Sequence, residues 1–227
     1  MALYDQFKKK SYLIGCEITK RPYIDENRRA YMYRSQSRAN EQCQEIWKTR
    51  PVDMSDCDEN TIFSECYAAG AKYIVYEDHI RKTEIPLKKE EMVRRYYNSR
   101  LNADIALLLR TKKTQYLRDM SGCTFLVPVR TINEPNVYML YATVSNSKGM
   151  YSYIAFSDLE AFSRWSERVK GWQPLRVDCG GLRQIGRKHG FMINPLEAGL
   201  FLATDKICLL EEEFRRRAAG KDKEEVE

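Results

Sequence analysis

Apolar and polar positions follow two different periods along this chain, and the changes between them predict its elements. TFLVPVRT (124–131), NVYMLYATVS (136–145) and MYSYIAF (150–156) are short runs rich in β-branched and aromatic residues. They predict three strands joined by turns at INEP and at residues 146–149, the last two paired as a meander. The period then lengthens: Leu159, Phe162, Trp165 and Val169 lie three or four apart, which predicts one face of a helix. Ser157-Asp158 offers side-chain oxygens to its first amides, and Gly171 stops it. PLRVD (174–178) reads as a strand, LRQIGRKHG (182–190) as a helix ended by Gly190 in left-handed geometry, and FMIN (191–194) as the next strand. Asp205 opens a closing helix carrying Leu209, Leu210 and Phe214.

The first half runs through the same order. RAYMYRS (29–35) is a strand, Ala39, Cys43, Ile46 and Trp47 mark a helix (37–48), and PVDM (51–54) is a strand. Thr61, Ile62, Cys66 and Tyr67 mark a helix ending at Gly70, and AKYIVYE (71–77) is a strand. AYMYRSQSRANEQ (30–42) aligns with SYIAFSDLEAFSR (152–164) at an offset of 122, and Gly70 with Gly190 at 120. The pattern predicts a degenerate internal duplication. Between the halves, Met92, Tyr96, Leu101, Ile105, Leu108 and Leu109 recur at helical spacing. Asn98 to Asn102 interrupts them, so one helix or two fit equally. The expected organisation is an α+β fold with mixed and antiparallel sheets flanked by helices: a lobe at 1–86, a basic helical linker at 87–120, a second lobe at 121–214 and a charged flexible tail at 215–227.

Several of these stretches together resemble the SseB N-terminal domain family. They are Ala155-Phe156-Ser157-Asp158 closing a strand, the helix with Trp165, the strand PLRVD, Gly190, and Ile193-Asn194-Pro195 followed by Gly199. The resemblance spans about residues 100–212 and, more weakly, 10–85; Ser157 stands where the family commonly has Thr. It implies a bacterial α+β domain of unsettled molecular activity and carries over no catalytic residue. The first half lacks the Asn-Pro, having Tyr76-Glu77 near the matching place.

Charge and candidate chemistry refine this picture only locally. The net charge is +6, and between Lys88 and Arg118 nine basic residues face three acidic ones, so the remainder sums to zero. Such a segment could draw phosphates or an acidic protein. It holds no nucleic-acid reading motif, which leaves nucleic-acid binding through Arg94, Arg95, Arg100, Lys112 and Lys113 as the third functional reading. No glycine-rich phosphate loop occurs, seven cysteines are scattered without a C-x-x-C pair, and there are only two histidines. Neither a metal site nor a cofactor is expected. His79 sits in a charged loop and reads as solvated.

Cys179 and His189, with Asp178, are the nearest approach to a nucleophile and its base, though no oxyanion loop accompanies them. Tyr31, Tyr33, Tyr73, Tyr76, Tyr151 and Tyr153 recur in strands, as suits half-buried sheets or a binding surface. Pro195 should push Asn194 into extended geometry, with Gly199 allowing the bend that follows. No apolar run approaches membrane-spanning length and no leader is visible, so a cytoplasmic place and no membrane contact are expected.

The first functional reading is non-catalytic binding of another protein at the sheet surface and at the strand ends around Ser157, Asp158, Asn194, Pro195 and Gly199. A small-ligand protein or enzyme using a cleft between lobes is the alternative, and a homo-oligomer stays open.

Overall fold

The computed structural model describes residues 11–78, 81–87, 97–132, 138–145 and 148–224. The chain is an α+β protein that divides into two compact units, residues 1–107 and 108–227.

In unit 1 a five-stranded sheet has the order β3-β1-β2-β4-β5, from Thr49–Asp53, Tyr12–Cys16, Arg29–Tyr33, Tyr73–Glu77 and Lys82–Pro86. β2 and β4 are parallel and every other pair is antiparallel. The parallel pair needs a long crossover, which is supplied by α1 (Gln36–Glu45), β3 and α2 (Glu59–Ala69). Ser35 caps α1 and Asp58 caps α2, each accepting the backbone N–H three residues on. Gly70, at φ 95, ends α2 and accommodates left-handed geometry that a side chain would resist. Leu13, Met32, Ile62, Cys66, Ile74 and Tyr76 pack into the main core. The first helix is shorter than predicted: Ile46 is already extended, and Trp47 lies exposed beyond it with Lys48 over its ring.

Among its described residues the linker segment holds α3 (Ser99–Thr111) and α4 (Thr114–Asp119), which part at Lys112 with φ 58. Of its two asparagines, Asn98 accepts the Leu101 N–H, while Asn102 is buried and donates to the Ala68 carbonyl at 2.7 Å. Asn98 stands just before the first residue of α3, and Asn102 lies within it. Residues 88–96, including Arg94 and Arg95, and His79 lie outside the described residues.

Unit 2 contains β6 (Phe125–Ile132), β7 (Tyr138–Tyr141), β8 (Thr143–Ser145), β9 (Tyr151–Ala155), β10 (Gln173–Val177), β11 (Phe191–Ile193) and β12 (Leu200–Leu202). One sheet is ordered β10-β6-β7 and the other β12-β11-β9-β8. A bridge from Leu126 to Phe156, with reciprocal bonds of 2.9 and 2.8 Å, links β6 to β9. Through it the unit runs β10-β6-β9-β11-β12, with only β9 and β11 parallel, so strand order and direction match those of unit 1. The expected single strand over 136–145 is two: buried Ala142 bonds Pro128 on one side and Ile154 on the other, and the chain changes sheets there.

α5 (Leu159–Ser166) lays Phe162 and Trp165 against Phe156 and Ile154 in a ring-rich core. α6 corrects the predicted helix at 182–190. It runs Cys179–Ile185 under an Asp178 cap, and Gly190 instead leads into β11 at φ 66. α7 (Thr204–Glu224) carries helix well into the expected flexible tail, with Glu213 holding Arg216 and Arg217 one turn on.

Candidate functional site

Of the five residues expected at the binding rim, Ser157, Asp158 and Asn194 form a buried corner, while Pro195 is half-buried and Gly199 exposed. Asp158 caps α5 by accepting the Ala161 N–H at 2.9 Å. Its neighbour Ser157 donates its backbone N–H to Asn194 Oδ1 at 2.9 Å and receives Asn194 Nδ2 on its hydroxyl at 2.9 Å. Asn194 also donates its backbone N–H to the Ala155 carbonyl, extending the parallel ladder, and its own carbonyl accepts from Glu197 and Gly199. Asn194 is 3% exposed and Ser157 2%.

The predicted extended geometry of Asn194 is overturned, since its φ is +49. Asparagine tolerates that region better than most residues, and five hydrogen bonds offset the steric preference set by Pro195. Sequence shows only the proline's preference, because the partner that wins lies 37 residues away.

Cys179 and His189 stand in separate surroundings. Cys179 is fully buried at the start of α6, its Sγ 3.4 Å from the Ser121 carbonyl and 3.9 Å from that of Met120. Burial, with Cys123 and Asp178 nearby, pushes its thiol up to about 12, so the thiolate needed for attack is suppressed at neutral pH. Asp178 spends its carboxylate capping α6. His189 stacks on Tyr151 with ring centroids 3.9 Å apart and meets Tyr153 edge-on at 6.3 Å. No cluster of three metal-ligating side chains occurs among the described residues.

The predicted tyrosines divide. Tyr33 and Tyr76 are core residues, whereas Tyr151 and Tyr153 join Tyr141, His189 and Phe191 in one aromatic cluster of unit 2. Beside this cluster runs the feature that sequence reasoning missed. Among the described residues β7 pairs with β6 and stands last in its sheet. Tyr138, Met139 and Leu140, three consecutive residues, are 46%, 44% and 43% exposed. Consecutive strand residues point to opposite faces, so among the described residues each face of this edge shows a half-exposed apolar side chain. Met150 and Tyr151 add exposed area at the start of β9. The signal was present as the uncharged string YMLY, but it reads equally well as a buried strand.

Comparison with protein-family models, with curated proteins and with solved structures finds no match to this chain. No helix among the described residues is long and apolar enough to cross a membrane.

Proposed function

We propose that the chain is a non-catalytic protein-binding module of the SseB type, whose partner adds a strand to the free edge of β7. The observation that supports this reading is the half-exposed apolar run of β7, with Met139 and Leu140 on opposite faces, in a strand that stands last in its sheet among the described residues. Edge strands that must stay solitary carry charge, proline or a bulge, and β7 has neither a charged residue nor a proline. Backbone pairing would supply affinity, and pockets for alternate side chains specificity. Exposed tyrosine and methionine beside it are the residues that enrich binding surfaces.

The same reading takes the two units as copies of an ancestral domain, supported by their shared strand order and by the common placing of caps and glycines. It takes the cytoplasm of a bacterium as the setting. The buried Ser157–Asn194 corner then serves as scaffold, with the contact surface moved to β7. Catalysis gains no support, since the one candidate thiol is protonated and inaccessible.

The test is affinity purification of the tagged full chain beside its Leu140→Lys variant. A stoichiometric partner held by the first and lost by the second, with equal thermal melts, is the expected result. A partner held equally by both overturns the β7 reading.

A further inference from the structure

Unit 1 contains a cleft of about 490 Å³ that owes nothing to the β7 edge. Its walls come from four separate stretches of chain: Arg28 before β2, Tyr67 and residues 70–73 from the end of α2 into β4, Pro86 and Leu87 closing β5, and Ser99 and Arg100 opening α3. Among the described residues that line it, three of ten are basic and none is acidic. Among the described residues the Lys72 and Arg100 side chains have no ion-pair partner, while Arg28 holds the buried carboxylate of Asp104 at 2.7 Å.

The walls are fixed by bonds that leave Lys72 and Arg100 exposed. Gly70 turns the chain at φ 95, and a Cβ there would overlap the Ser99 carbonyl and Ala103, so glycine lets α3 close against the end of α2. The Arg28 carbonyl accepts the Lys72 N–H at 2.7 Å, the Lys72 carbonyl accepts that of Leu87 at 2.9 Å, and Asn102 ties α3 to Ala68. Cations held together on a rigid frame repel one another, and an anion that relieves this gains affinity without reorganising the site.

We infer that this cleft binds a small phosphorylated molecule with a flat ring, of nucleotide size. Three cations less the Asp104 carboxylate leave two net positive charges, which a phosphomonoester near its dianionic form cancels. Arg28 and Arg100 present planar forks that suit phosphate oxygens, and Lys72 adds a point charge. Tyr67 and Tyr73 line the same space and offer ring faces to an apolar part. The volume falls within the roughly 300–1,000 Å³ of small-molecule sites.

The test titrates the full chain with adenosine monophosphate, inorganic phosphate and adenosine, following amide shifts and heat. Saturable binding of the monophosphate is expected, with phosphate weaker and adenosine absent. Lys72→Glu combined with Arg100→Glu, both on the surface, should weaken the monophosphate at least tenfold with an unchanged melt, and Lys72→Arg should retain it. Adenosine binding as tightly as the monophosphate, or a double variant that binds normally, overturns the inference. So does the absence of any saturable signal, or preference per phosphate for a single-stranded oligonucleotide.

Discussion

The segment that follows the first strand of each unit meets the same two strands but ends in opposite environments. In unit 1, Pro22 bridges Gly15 of β1, and two residues later Ile24 bridges Ala30 of β2. In unit 2 the stretch at the matching place is β7 against β6 and β8 against β9, bent at Ala142. Even the aromatic contact repeats, Tyr23 with Tyr31 at 6.3 Å and Tyr141 with Tyr153 at 6.2 Å. Unit 1 keeps the segment short and buries it, with Ile24 at 1% exposure, while unit 2 leaves apolar residues in solvent. The same strand order therefore accompanies a short buried segment in one unit and an exposed strand in the other. That is the physical reason to look for that strand's use in binding.

The shared frame is most sharply tested at its glycines. Gly70→Ala places a Cβ in the left-handed region and against the Ser99 carbonyl and Ala103, so it should cost unit 1 about 4 kcal/mol by denaturant titration. Gly190→Ala meets the Leu202 carbonyl at 2.5 Å in unit 2 and should cost nearly as much. Gly149, also at positive φ but with nothing near, should lose only about 1 kcal/mol. Equal losses at all three would mean that the close approaches at 70 and 190 are immaterial.

Next in size is the corner that unit 2 has and unit 1 lacks. Asn194→Ala removes the two side-chain bonds to Ser157 and leaves alanine at positive φ, for an expected loss of about 3 kcal/mol. Asn194→Gly restores the backbone freedom and should recover about 1 kcal/mol of it. A variant Asn194→Ala as stable as the parent would reduce the corner to ornament.

These sites also mark where sequence was legible and where it was not. Much of the element order in both halves followed from period, and the start of α5 from its cap, because Asp158 acts within three residues of where it stands; Ser35, Asp58 and Asp178 cap in the same way but were not read from the sequence. β1 was missed because YLIGC is buried along most of its length and shows no alternation. β5, KTEIP, was missed because only Ile85 turns inward on an edge strand. Gly180 and Gly181 disguised the first turn of α6, since glycine argues against helix. The geometry of Asn194 and the cleft around Arg28, Tyr67, Lys72 and Arg100 depend on groups tens of residues apart, which no local pattern encodes.

The two units should also differ in how alkali loosens them. Burial, with Glu77 nearby, lifts the Tyr33 hydroxyl of unit 1 from 10 to about 12, and burial lifts the Cys179 thiol of unit 2 from 9 to about 12. Both groups stay protonated in the folded state while the unfolded chain ionises. Each contribution to stability is therefore complete below the unfolded value and lost as pH climbs, over 10 to 12 for Tyr33 and 9 to 12 for Cys179. Denaturant midpoints should decline from pH 9 upward in the parent and less steeply in Cys179→Ala, in which the buried Cys66 thiol of unit 1, also raised by burial, still ionises only on unfolding. Coincident declines would remove the thiol's role.

The smallest expected change in stability separates the two segments most cleanly. Ile24→Ala empties a buried site and should cost about 3 kcal/mol. Leu140→Ala removes a similar volume from a side chain already 43% exposed and should fall within about 0.5 kcal/mol of the parent. The same variant should lose the partner bound at β7, because truncating an anchor at a binding edge is felt in affinity and not in folding. If Leu140→Ala instead destabilises the chain as much as Ile24→Ala, the outer segment is part of the core of unit 2. The contrast between the units would then be one of shape alone.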